Sequence, residues 1–94
     1  MSDLQTRRYL ISGRVQGVGF RWFVEREAGL LGVTGWVRNT ESGDVEVMAT
    51  GTREQHSSLR RKLQEGPRAA RVDHINESGA PLLETQSFRI EGNW

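Results

Sequence analysis

The sequence predicts an α+β fold, one antiparallel sheet with two helices packed on one face. Three observations lead there: the apolar period switches between two and about 3.6 along the chain, each segment of helical period lies between strand-like ones, and the chain is short. Its 94 residues leave room for one domain, 1–94, and none for a second core.

Tyr9, Ile11, Gly13 and Val15 alternate with Leu10, Ser12 and Arg14, which predicts a strand from about Arg7 into the glycine-bearing stretch Gly13 to Gly19. Phe20, Val24, Ala28 and Leu31 then share one face of a helix, which Gly32 ends. Gly35 to Thr40, the turn-prone Glu41-Ser42-Gly43-Asp44, and the alternating Val45, Val47 and Ala49 form a hairpin.

Thr52 and Gln55 have capping-box spacing, Leu59 and Leu63 give a thin apolar stripe, and Gly66-Pro67 stops this second helix. Val72 to Asn76 is a weaker strand, and Phe88 with Ile90 marks another after the Gly79-Ala80-Pro81 break. Glu77 to Gln86 reads as a mobile surface loop. The order is βαββαβ with a terminal strand, the ferredoxin-like α/β sandwich.

Composition narrows the function. Hydrophobic residues at 35% and charged residues at 27%, with no long apolar run, fit a soluble domain without a membrane span. The N-terminus has no apolar core of a signal peptide, so a cytoplasmic protein is expected. With no cysteine in the chain, disulfides and thiolate catalysis are excluded. A net charge of +1 gives no general field for nucleic acid or an anionic membrane, so any anion site must be local.

Such a site is offered by Gly13-Arg14-Val15-Gln16-Gly17-Val18-Gly19-Phe20-Arg21, which lies between a strand and a helix. Glycines there let successive N–H groups turn toward one anion, and the helix N-terminus adds positive potential. Arg21 can fork two phosphate oxygens from the side. Taken alone the loop fits a plain tight turn equally well. No Lys-Ser or Lys-Thr follows the glycines, and Gly17-Val18-Gly19 lacks the third glycine of a dinucleotide fingerprint.

Asn39, near the end of the first hairpin strand, carries an amide that can accept a hydrogen bond from water and donate one to a phosphate oxygen. On residue type alone, the stronger reading is that it starts the turn toward Gly43.

Ile11-Ser12-Gly13-Arg14-Val15-Gln16-Gly17-Val18-Gly19-Phe20-Arg21 resembles the first acylphosphatase signature at every defined position. Gly35-Trp36-Val37-Arg38-Asn39, followed by Gly43, Val45 and Gly51, resembles the second equally well. The likeness continues more loosely to Phe88-Arg89-Ile90, while the tail Glu91-Gly92-Asn93-Trp94 is longer and more acidic than the family pattern.

The resemblance implies a metal-free, cofactor-free and monomeric enzyme that hydrolyses the carboxyl-phosphate anhydride of acyl phosphates to carboxylate and inorganic phosphate. In it the amides of Val15, Gln16, Gly17, Val18, Gly19 and Phe20 hold the phosphoryl group, Arg21 binds its oxygens, and Asn39 orients the attacking water. Such a reaction needs no general acid, because a carboxylate leaves without protonation at neutral pH. Positioning and charge stabilisation are what the transition state asks for.

The remaining motifs read as structural. His56 and His74 lack metal-ligand spacing, and Asp73 beside His74 would point to the opposite face of a strand. Arg60-Arg61-Lys62 reads as a solvated helix face, and Trp22, Phe23 and Trp36 as core aromatics. Two rival functions fit the same element order: a non-catalytic ferredoxin-like anion-binding module, and an RNA-binding domain. The second needs paired aromatics on the central strands, where the sequence has Val45-Glu46-Val47-Met48-Ala49-Thr50.

Overall fold

In the computed structural model of the chain, which describes residues 3–92, the elements run β1 (Gln5–Arg14), α1 (Phe20–Leu31), β2 (Thr34–Asn39), β3 (Val45–Gly51), α2 (Arg53–Glu65), β4 (Arg71–Ala80) and β5 (Phe88–Ile90). They form the expected ferredoxin-like sandwich, with sheet order β4-β1-β3-β2-β5. Asn93 and Trp94 of the divergent tail lie outside the described residues.

Period-two alternation sorts the strands into two faces. Tyr9, Ile11, Val37, Val45, Val47, Ala49 and Ile75 point to the helices and meet Phe20, Val24 and Ala28 of α1 with Leu59 and Leu63 of α2. Burying each valine, leucine, isoleucine or phenylalanine among them contributes about 1.5–3 kcal/mol. α1 lies over β2 and β5, and α2 over β3 and β4. The capping box forms on α2, where the Gln55 N–H donates to Thr52 Oγ1 at 3.1 Å and the Thr52 N–H to Gln55 Oε1 at 2.8 Å.

Within this core, Tyr9 Oη and His56 Nδ1 lie 2.7 Å apart, and His56 Nε2 is 2.8 Å from the Gln5 carbonyl. A carbonyl only accepts, so Nε2 carries a hydrogen and, in the neutral imidazole, the tyrosine hydroxyl donates to Nδ1. Burial first, then the Glu77 charge, raises the Tyr9 phenol well above its ordinary value against the opposing Arg7 and Arg60, so it stays a donor. His56 is thus a satisfied structural residue, 4% exposed.

On the open face Glu46 sits between Arg8 and Arg38, the latter at 2.7 Å. Burial pushes the Glu46 carboxyl up, but hydrogen bonds and charges from the two arginines outweigh it and hold the group below its usual value.

Three expectations are corrected. The sheet is not wholly antiparallel, because β5 pairs parallel to β2 (Gly35↔Phe88, Val37↔Ile90). β4 ends beside the start of β1, and the chain crosses that end of the sheet to enter the far edge running in the direction of β2. Second, Glu77 to Gln86 is not a loop throughout: Glu77 to Ala80 belong to β4, paired with Tyr9 to Thr6. The crossing itself is pinned, since the Leu83 N–H donates to Thr6 Oγ1 at 2.9 Å and Thr50 Oγ1 donates to the Leu83 carbonyl at 2.7 Å. That leaves the Thr6 hydroxyl to donate to Thr50 Oγ1 at 2.7 Å, closing a ring of three bonds.

Third, the aromatics are not all core. Trp22 is 70% exposed and Phe23 half-buried. Trp36, of opposite parity to Val37, lies half-buried on the open face with the Arg38 guanidinium 5.2 Å from its ring centroid. Two residues along a helix is about 200° of rotation, so Trp22 must point away from the layer that Phe20 faces.

Candidate active site

β1 bulges at Ser12/Gly13 just before the loop. Gly13 has φ 130°, and a Cβ there would lie 2.2 Å from the Arg71 carbonyl oxygen, so only glycine lets β4 approach. The loop then runs to Gly19, the N-cap of α1, with no side-chain cap on the helix. Gly17 (φ 72°) and Gly19 (φ 81°) are left-handed, a conformation that costs any side-chain-bearing residue energy. Val15 and Phe20, both buried, anchor the two ends.

α1 has no acidic residue in its first turn, so nothing there offsets the positive end of the helix. Arg21 is in that turn, half-buried, and forms no ion pair among the described residues. The guanidinium is therefore not committed to a carboxylate of the described chain.

Asn39 is the last residue of β2, on the helix side with Gly35 and Val37, and 7% exposed. Its alternative use as a turn residue does not hold. Asn39 still pairs with Val45 in the ladder, and the turn is closed one residue later by Thr40, whose N–H donates to the Asp44 carbonyl at 2.9 Å while Thr40 Oγ1 accepts from the Asp44 N–H at 3.1 Å.

Gln16 joins loop and hairpin. Its Nε2 donates to the Thr40 carbonyl at 2.9 Å and the Asp44 carbonyl at 2.8 Å, tying the loop's second residue to the strand end that carries Asn39. The sequence marked Gln16 only as a supplier of a backbone amide. A long amide side chain between glycines was the available signal, but its partners are more than 20 residues away along the chain.

Among the described residues no group of three histidine, cysteine, aspartate or glutamate side chains is placed to hold a metal. On the open face the central strands β1 and β3 present Arg8, Leu10, Glu46 and Met48 and no aromatic, against the RNA-binding reading. No described helix is long and apolar enough to cross a membrane.

The model of the family described as acylphosphatase matches residues 7–90. A relative named acylphosphatase from Koribacter versatilis is 57% identical over 91 residues, covering 96% of this chain and 83% of its own length. The solved structure of an acylphosphatase from Coxiella burnetii superposes with TM-score 0.91 at 37% identity, covering 95% of this chain and 94% of that one. One from Bacillus subtilis gives 0.88 at 36%, covering 95% and 99%. With the family model spanning most of the chain, and fold and relatives agreeing with it, the chain belongs to the acylphosphatase family.

Proposed function

We propose that the chain hydrolyses acyl phosphates to a carboxylate and inorganic phosphate, with Arg21 and the amides of Val15 to Phe20 binding the phosphoryl group and Asn39 orienting the water. The observation that carries this reading is the Gln16 junction. It ties the glycine loop ahead of an uncompensated helix N-terminus to the strand end that carries the buried Asn39 amide, with an arginine free of carboxylates in the same helical turn.

In the reaction the water oxygen forms a bond to phosphorus, the bond from phosphorus to the acyl oxygen breaks, and the electron pair leaves with the carboxylate. The water proton passes to a phosphoryl oxygen of the substrate. Arg21 and the loop amides neutralise charge on the equatorial oxygens, and Asn39 holds the water by accepting its hydrogen bond while donating to the phosphate. The same reading takes residues 1–94 as one domain that works as a cytoplasmic monomer without metal or cofactor.

Hydrolysis of acetyl phosphate in water enriched in ¹⁸O tests it. Turnover with the label in inorganic phosphate is expected. Label in acetate would move the attack to the carbonyl carbon, and absence of turnover from a folded protein would favour the anion-binding module.

A further inference from the structure

Among the described residues Trp22 is the largest exposed side chain, at 70%, although it directly follows Arg21 in the first turn of α1. A tryptophan in that position forfeits most of the gain its indole would have from burial. Beside it is an open hollow of about 410 Å³ lined by Gly19, Trp22, Phe23, Glu25, Arg26 and Pro67. That volume is within the range of small-molecule sites, about 300–1,000 Å³.

Gly19 is also the last residue of the phosphate loop and the N-cap of α1, so the hollow begins where the loop ends. Because Gly19 belongs to both, a phosphoryl group held at that end of the loop would have its acyl substituent beside this wall. The walls are apolar at Trp22, Phe23 and Pro67. Arg26 and Glu25 bring opposite charges, and the Arg26 guanidinium is already engaged with Glu27 at 3.1 Å. The lining therefore offers no uncommitted cation to draw an anionic acyl chain, and its flat indole matches a planar apolar group.

We propose that Trp22 is a specificity-determining residue that receives the acyl group of the substrate, favouring aromatic acyl phosphates over small aliphatic ones. This rests on the acyl phosphate reading above, and the experiment separates the two. kcat/KM is measured for benzoyl phosphate and acetyl phosphate with the unaltered chain, Trp22→Ala and Trp22→Phe. Stacking on an aromatic face predicts that the benzoyl-to-acetyl ratio falls about fivefold to tenfold in Trp22→Ala, through KM rather than kcat, and largely recovers in Trp22→Phe. An unchanged ratio in Trp22→Ala, or equal losses for both substrates, would overturn the assignment of Trp22 while leaving the enzymatic reading intact. If the unaltered chain turns over neither substrate, both readings fall.

Discussion

Replacing Gln16 by alanine tests how the candidate site is built, because one side-chain amide fastens the glycine loop to the hairpin. Two hydrogen bonds, at 2.9 and 2.8 Å, are lost together. At roughly 1 kcal/mol net for each, and with part of that recovered where water reaches the part-buried carbonyls, the loss is about 1–2 kcal/mol. For a chain of 94 residues this lowers Tm by about 4–16 °C. Activity should fall further than stability at assay temperature implies. The freed loop no longer holds its amides in one arrangement, and a displacement of about 1 Å at a reacting centre costs up to about a hundredfold. We expect kcat/KM for an acyl phosphate to drop roughly tenfold to hundredfold at a temperature where the variant is folded by circular dichroism. Gln16→Glu should be worse than Gln16→Ala, since it sets a carboxylate against two carbonyl oxygens. A Gln16→Ala protein with unchanged Tm and kcat/KM within about twofold would refute the junction as the organising contact.

Asn39→Asp should weaken inhibition by inorganic phosphate more than Asn39→Ala, because a buried anion would then face the bound dianion; equal inhibition constants would contradict the placement. Tyr9→Phe leaves the buried His56 Nδ1 without its donor at 2.7 Å and should cost about 1–3 kcal/mol in urea unfolding; a loss below about 0.5 kcal/mol would contradict the hydrogen-bond assignment. For Glu46, a folded carboxyl held below the unfolded value of 4.5 stabilises the protein fully above that pH and progressively less as pH falls below it. The stability gap between the unaltered chain and Glu46→Gln should therefore be level at neutral pH and close as pH drops below about 4.5. A gap that widens on acidification would reverse the sign of the argument.

How far the sequence could be read follows from which contacts are local. The helix stripes Phe20-Val24-Ala28 and Leu59-Leu63, the Thr52-Gln55 cap and the Gly32 stop all lie within a few residues of one another, and all form as periodicity requires. β4 was read short because Glu77, on the helix side opposite Tyr9, is charged and paired with Arg7 and Arg60, so the apolar alternation ends at Ile75 although the ladder continues to Ala80. The direction of β5 was not legible, since the ring of Thr6, Thr50 and Leu83 that fixes the crossing joins residues 44 and 77 positions apart.

At the candidate site, the glycine loop and the helix start that carries Arg21 were legible as local structure. The place of Asn39 in β2 was not, because an asparagine before Glu41-Ser42-Gly43-Asp44 reads as a turn residue until Thr40 is seen closing the turn in its place. Trp22 misled for a different reason: an aromatic beside Phe20 invites a core reading, and only its angle around the helix removes it.

The most direct test is steady-state hydrolysis of an acyl phosphate in the presence of a chelator, comparing the unaltered chain with Arg21→Ala. The account predicts chelator-resistant turnover that falls by on the order of a thousandfold or more in the variant, by analogy with other arginines that stabilise phosphoryl transfer. Turnover in Arg21→Ala close to that of the unaltered chain would contradict it.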